Sequence, residues 1–356
     1  MEYTKEDILK ERGLGEKAAR KKSRKSLTIP AAALERRDFK WPRFWSLYYR
    51  TILDDPASNR LCITGIGPAT RTNGRFDAVP IDPRIARVCG VAKGRRNAVF
   101  RMAVMLGHDR NRMEGKRIGY PMHLHCWLLL DRVVGHDLVR QHLREFVQAA
   151  EAFWKANTKE WLTELSHHKY GKPFCHEKRL HWLKRQSDVD TTQNDEAGKG
   201  EIDVYHISGS PLRIPGIKEL TAQVTRERND GVSLRGSPTI LNLPLDIAVI
   251  IVDVIYKSRP HCRERIDDTR NVLEAFQWKL PGAYWRARCN PRLIFEVDDL
   301  VRTQRAVDWA SFCLGLEELL LDDDWYCNSG LNNRCRTLRF LEGIKGRFLG
   351  MIETDS

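Results

Sequence analysis

The sequence predicts an α+β fold in which helices predominate, with a mixed N-terminal domain followed by a helical C-terminal region. Three observations lead to this prediction. Apolar residues recur at three- and four-residue intervals over 137–154, short β-type segments bounded by glycine and proline stand upstream, and residues 241–351 are helical in character. With 356 residues, 42% of them hydrophobic, the chain is long enough for two domains with full-sized cores.

The predicted boundaries divide the chain into five parts. They are a basic, flexible tail at 1–40, a mixed α/β domain at 41–186, a linker or irregular segment at 187–240, a helical segment at 241–300 and C-terminal helices at 301–351. Residues 187–200 offer almost nothing to bury, which is typical of a linker. Residues 208–238 are predicted to be irregular apart from a helical turn near 217–224.

In the N-terminal domain, order is expected to begin near Trp41, because Pro42 suits a first helical turn and aromatic residues follow it. The domain's further elements are predicted from periodicity and turn residues. They are strands at 61–66 and 99–106, loops over 69–98, a helix within 119–130 and an amphipathic helix over 137–154.

The positive charge is concentrated at the N-terminus. The net charge is +13, and residues 1–50 supply +7 of it, with a basic run at Arg20–Lys25. Such a run is either a nuclear-import or nucleic-acid patch or a solvated tail, and the second interpretation is favoured for so short a run. Without a secretory signal or a membrane helix, the sequence predicts residence in the nucleus or the cytoplasm.

The most informative segment of the chain is the apolar run Leu245–Tyr256, in which seven of twelve residues are Ile or Val. Propensity alone favours a buried strand. We predict a helix instead, because Pro244 suits the first helical position and Asp246 would lie in the positive first turn. A helix this apolar is either a central core helix or one packed on its own domain on one side and on a partner on the other.

This run and the residues that follow it resemble an F-box, the trihelical module by which substrate receptors join cullin-RING ubiquitin ligases. The first helix carries the match to the opening motif, the helix at 268–276 stands where the second belongs, and Trp285 followed by Arg286 and Arg288 stands at the closing tryptophan. The partner-binding residues that the resemblance implies are Leu243, Pro244, Leu245, Ile247, Ile250, Ile251, Val254, Trp278 and Trp285. The connection at 257–267 is longer than usual and contains a proline.

A broader resemblance covers most of residues 41–350 and is to fungal F-box domain-containing proteins of an otherwise uncharacterised family. It includes the segment 119–130, the apolar helix, residues 278–288 and tail segments near 307–314 and 330–345. It implies a non-enzymatic receptor whose partners are the F-box adaptor subunit of a cullin-RING ligase and an unknown protein substrate. It implies no catalytic residue, metal or cofactor, and nucleic acid is not an expected partner.

Two other classes of function stay open on the sequence. His123 and Cys126 would share a helix face at i and i+3, so a zinc-dependent enzyme is one alternative. Further ligands would have to come from His136, from 167–168 or from 175–176, and a buried His and Cys beside Trp127 is the favoured interpretation. The other alternative is a basic nucleic-acid-associated protein, whose binding would be steeply salt-dependent.

Overall fold

The computed structural model describes eleven stretches of the chain, which are 26–37, 44–55, 60–68, 77–89, 96–103, 117–157, 209–226, 244–303, 305–322, 325–326 and 329–355. These stretches contain eleven α-helices and eight strands, so the predicted α+β class is confirmed. They belong to two compact units. Unit 1 holds the described residues up to 157 with 210–212 and 336–355, and unit 2 holds 209 and the described residues between 213 and 335.

All eight strands belong to unit 1. They are β1 Leu27–Pro30, β2 Tyr48–Asp55, β3 Arg60–Ile63, β4 Gly67–Pro68, β5 Asp77–Pro80, β6 Ile85–Cys89, β7 Asn97–Met102 and β8 Ile118–His123. Five of them form a sheet in the order β3-β2-β8-β7-β5, and β4 also pairs with β2. Strands β7 and β8 run parallel and the other pairs antiparallel. The remaining strands, β1 and β6, form a separate antiparallel pair.

Short helices and one long helix complete unit 1. They are α1 Ala31–Glu35, α2 Leu124–Val133, α3 His136–Gln141, α4 Leu143–Ala156 and the larger part of α11 Leu331–Asp355, with a 3₁₀ helix at Phe44–Leu47. Helix α4 buries Phe146, whose ring packs edge-on against Phe348 of α11 at 5.5 Å. Close packing also explains Gly343, since a Cβ there would overlap the ring of Phe153.

The prediction of a flexible tail through residue 40 is wrong for residues 27–35. Strand β1 pairs with β6, and Ala31 and Leu34 of α1 are 3% and 1% exposed. The physical reason is that the apolar residues from Leu27 onward pack against partners about 60 residues away. The charged residues around them make the segment look disordered when only its local composition is considered. The basic run at 20–25 lies outside the described residues.

Two further predictions for unit 1 are corrected. The loops expected over 69–98 contain β5 and β6, whose Val79 and Val88 are 0% and 3% exposed. The segment 119–130 begins as β8 and becomes helical only at Leu124. Pro121 is tolerated in β8 because the parallel pairing with β7 ends at Gly119, so that among the described strands only β2 pairs beside the proline.

The other predicted elements of unit 1 are partly confirmed. Strands β3 and β7 overlap the strands expected at 61–66 and 99–106. The helix expected over 137–154 is broken at His142, where φ is −127° and ψ is 51°, so it forms α3 and α4. The helical turn expected after Pro42 lies partly outside the described residues, and from residue 48 onward the chain is strand β2.

The described part of unit 2 is helical, which agrees with the prediction for residues 241–351. Its helices are α5 Pro215–Arg226, α6 Leu245–Ser258, α7 Arg263–Ala275, α8 Gly282–Arg286, α9 Glu296–Arg302, α10 Trp309–Leu319 and the first five residues of α11. Helices α5, α7 and α8 pack on α10, and α6 packs on α7. Helix α10 supplies the buried centre, with Phe312, Leu314 and Leu316 at 3% exposure or less. The irregular segment predicted at 208–238 is corrected, because Pro215–Arg226 form a helix of 12 residues and not a single turn. The linker predicted at 187–200 lies outside the described residues.

Within the part of the chain that the structure describes, no helix is both long enough and apolar enough to cross a membrane.

Candidate functional site

Helix α6 carries an apolar stripe that is exposed in the part of the chain that the structure describes. Ile247, Ile250 and Val254 are 40%, 55% and 56% exposed, and their spacing of three and four residues places them on one face of the helix. We call these three residues the outer stripe. Leu245, in the first turn, is 48% exposed, so four of the seven exposed large hydrophobic residues of the described chain lie on this one helix. An apolar patch of this kind is typical of a surface that binds another protein.

The opposite face of α6 attaches the helix to unit 2. Ala248 and Val252 are 1% and 0% exposed, and their i and i+4 spacing places them on one side of the helix. The helix therefore has a buried face and an exposed face although nearly all its residues are apolar. Polar side chains from its second half contribute the remaining attachment.

The first polar attachment joins α6 to α8. Asp253 Oδ1 accepts a hydrogen bond from Tyr284 Oη at 2.8 Å and from Arg288 Nη2 at 2.6 Å. Desolvation acts to raise the pKa of Asp253, but the hydrogen bonds from Tyr284 and Arg288 outweigh it, and the pKa lies below its ordinary value. The carboxylate is therefore ionised at neutral pH, which strengthens both hydrogen bonds.

The second polar attachment joins α6 to α10 and α7. Tyr256 Oη donates to Glu317 Oε1 at 2.9 Å, and Arg265 Nη2 donates to Glu317 Oε2 at 2.9 Å. The Arg265 and Glu317 side chains are only 7% and 5% exposed. Burial raises the pKa of Glu317, although Arg265 and Tyr256 act in the opposite direction. Burial and the nearby Glu317 also raise the pKa of Tyr256, which keeps its hydroxyl protonated as a donor.

The residues that the F-box resemblance implies as partner contacts fall into four groups, which are exposed, half-buried, buried and outside the described residues. Pro244, Leu245 and the outer stripe are exposed, Ile251 is half-buried, and Leu243 lies outside the described residues. Pro244 is the residue before the first helical position, one place earlier than expected. Trp278 is half-buried and stacks on Phe276 at 4.7 Å.

Trp285 differs from the other predicted contacts, because it is 1% exposed. Its ring packs edge-on against Tyr284 at 5.1 Å in the interior of unit 2. The expectation that Trp285 touches a partner directly is therefore corrected. The buried indole ring fills the core of unit 2, where its large apolar area contributes to the stability of the fold. The sequence could not separate the two roles, since aromatic residues are enriched both in cores and at interfaces.

The geometry around His123 and Cys126 is not that of a shared helix face. His123 ends strand β8, whereas Cys126 lies in the first turn of α2. Cys126 is half-buried, and desolvation raises its pKa to about 12, whereas the His123 side chain is exposed. In the described residues no cluster of three or more His, Cys, Asp or Glu side chains has the geometry to hold a metal. The candidate ligands at 167–168 and 175–176 lie outside those residues.

We expect Cys126 to be inert toward alkylating reagents in the folded protein. A thiol with a pKa of about 12 has a thiolate fraction about a thousandfold lower than one at 9, and only the thiolate reacts. Timed alkylation with iodoacetamide at pH 8, followed by peptide mass spectrometry, measures this rate against the exposed Cys62. Modification of Cys126 as fast as Cys62 would contradict the raised pKa of Cys126.

One contact in unit 1 has no sequence signal. His125 Nδ1 lies 2.7 Å from Ser210 Oγ, and the His125 ring stacks on Trp45 at 6.0 Å. His125 is 1% exposed, and Ser210 also accepts from the Leu212 backbone N–H. This burial favours a structural role for His125, in which it holds residues 210–212 against the rest of unit 1, over a role in catalysis.

In comparisons with known proteins, no family model, no curated protein and no solved structure matches this chain.

Proposed function

We propose that the protein is a non-enzymatic substrate receptor that docks onto the adaptor subunit of a cullin-RING ubiquitin ligase through α6. The observation that supports the proposal most is the exposure of the outer stripe. These residues stand at positions that the sequence matches to the first helix of an F-box, and they are the ones a partner would have to cover. Pro244 and Leu245, at the start of the helix, are exposed as well, although Leu245 lies on the side of Ala248 and Val252 and not on the outer stripe.

The size of the exposed surface agrees with a docking role. Covering a half-exposed Ile, Leu or Val contributes on the order of 1 kcal/mol, so Leu245 and the outer stripe together contribute about 4 kcal/mol. That is equivalent to about a thousandfold in Kd. The helix would therefore be an important part of an interface whose other contacts supply the remaining affinity.

A receptor of this kind needs no chemistry of its own. It raises the local concentration of a bound target near a charged ubiquitin-conjugating enzyme, which converts an encounter in solution into one within a complex. In this proposal unit 2 docks on the ligase and unit 1 recognises the target.

A pull-down with purified adaptor tests the proposal. The wild-type chain is expected to retain the adaptor, and Leu243→Asp is expected to retain at most about a tenth as much, because a carboxylate buried in an interface costs more than about 1.4 kcal/mol. Pro244→Ala is expected to give a smaller loss, since it only loosens the entry to α6. Recovery of equal, background amounts by all three proteins would show that the segment does not dock.

A further inference from the structure

The apolar residues of helix α6 do not by themselves determine how the helix is rotated about its axis. Seven of the residues 245–256 are Ile or Val, and they are distributed around most of the circumference of the helix, leaving one edge to Asp246 and Asp253. A rotation about the helix axis would exchange buried Val252 for another apolar residue such as Ile250 with little change in buried apolar area. Hydrophobic burial alone therefore does not select which face points outward.

Asp253 and Tyr256 are the polar side chains of α6 that make cross-helix hydrogen bonds in the described structure, and Arg288 touches both. Its guanidinium lies 4.5 Å from the centre of the Tyr256 ring and 4.2 Å from that of Tyr284. The same group donates to Asp253 Oδ1 at 2.6 Å and to Tyr284 Oη at 2.5 Å. One planar cation thus joins the two polar attachments of the helix.

We propose that Arg288 is a positioning residue that fixes the rotation of α6 about its axis, so that the outer stripe faces solvent. Rotation of the helix would separate Asp253 from Arg288 and Tyr284, and would remove Tyr256 from between two guanidinium groups and Glu317. The Arg265–Glu317 pair is 7% and 5% exposed, so a rotation that removes the Tyr256 hydroxyl leaves buried polar groups short of a partner. The Asp253 and Arg288 side chains are 39% and 21% exposed, so their ion pair contributes less to this selection than the stacking of Arg288 on the Tyr256 ring. The inference rests on the proposed function only in treating the outer stripe as the docking surface.

Side-chain accessibility tests the inference without any adaptor. Ile250→Cys and Val252→Cys place single reporters on the exposed and the buried face, and alkylation at each is followed by peptide mass spectrometry. With Arg288 present, we expect Cys at 250 to react at least about a hundredfold faster than Cys at 252. With Arg288→Leu, this ratio is expected to fall at least tenfold, because the rotated helix exposes both positions in turn.

A native thiol separates repositioning from general loosening. Cys313, in α10, is 3% exposed and should stay unreactive in Arg288→Leu if only α6 changes orientation. The matched control is Arg292→Leu, which removes an exposed arginine of the same unit and should leave the ratio unchanged. If Arg288→Leu does not fold, Arg288→Lys keeps the charge but loses the planar stacking, and should lower the ratio at least threefold.

Three results would overturn the inference. The first is an unchanged ratio of the two reporters in Arg288→Leu or, if that variant does not fold, in Arg288→Lys. The second is an alkylation rate of Cys313 that rises in the Arg288 variant together with that of the buried reporter, which would give Arg288 a general structural role. The third is an equal effect of Arg292→Leu. Failure of the wild-type chain to bind the adaptor, by contrast, would overturn the proposed function and leave the alkylation result intact.

Discussion

Replacing Ile250 with glutamate is expected to weaken binding of the ligase adaptor at least about a hundredfold, while the free energy of unfolding changes by less than about 0.5 kcal/mol. The side chain is 55% exposed at the centre of the outer stripe, so no core contact is lost in the free protein. Glutamate is also at least as good a helix former as isoleucine. In the complex, the carboxylate would be buried against an apolar partner, at a cost of several kcal/mol.

Val301→Glu is the matched control for this variant. Val301 is an apolar residue of unit 2 that is 43% exposed, and it lies on α9 rather than α6. Isothermal titration calorimetry with purified adaptor gives Kd for both variants, and denaturant unfolding gives their stability. Equal losses of affinity for Ile250→Glu and Val301→Glu would contradict a docking surface confined to α6, as would wild-type affinity for Ile250→Glu.

Replacing Arg265 with methionine is expected to destabilise unit 2 by about 3–5 kcal/mol, because it leaves a buried carboxylate without its cation. Glu317 is 5% exposed at its side chain, and in the described structure its carboxylate would keep the hydrogen bond from the Tyr256 hydroxyl but lose the one from Arg265. Arg265 also packs over the Tyr256 ring at 4.7 Å, a contact that methionine would reproduce only in part. Urea unfolding followed by tryptophan fluorescence measures the change.

The pH dependence of this effect has a definite sign. Burial raises the pKa of Glu317 above its value in the unfolded chain, so an ionised Glu317 costs stability as pH rises above that unfolded value. Arg265 reduces this cost, and its removal should therefore destabilise more at pH 8 than at pH 4. Arg263→Met is the control, since the Arg263 pair with Glu318 is 66% exposed at the arginine and should contribute less than about 1 kcal/mol. A loss of stability that is equal at the two pH values would contradict a buried, charged Glu317.

The helices of unit 2 could be predicted from sequence because their signals are local. Pro244 before the apolar run marks a helix start, and the helix predicted from it corresponds to α6. The helix expected at 268–276 overlaps α7, and the helical character predicted for 241–351 agrees with α8 to α11.

The strands of unit 1 were harder to predict because their stabilising partners are distant. Thr28 of β1 pairs with Arg87 of β6, and the two-residue strand β4 exists only as an addition to β2. In strands of two to five residues, apolar and polar residues alternate too few times for the pattern to be distinguished from that of a loop. The register of these strands is set by tertiary pairing, which a single sequence does not reveal.

The candidate site was predictable in its position but not in its geometry. The composition of α6 indicates a helix that needs cover on several sides, but a helix that is apolar all round gives no sign of which face is exposed. That choice depends on Asp253, whose partners Tyr284 and Arg288 lie 31 and 35 residues further along the chain. Trp285 was assigned to the partner surface for the same reason, since sequence alone does not report burial.

Amide hydrogen exchange of the chain with and without purified adaptor tests the central claim most directly. Saturating adaptor is expected to bind and to slow exchange in residues 244–258 by at least about tenfold, more than in any other described segment. In Ile250→Glu this protection should be absent at the same adaptor concentration. Protection confined to other segments, such as the strands of unit 1, or no binding at all by the wild-type chain, would contradict the proposal that the exposed face of α6 is the docking surface.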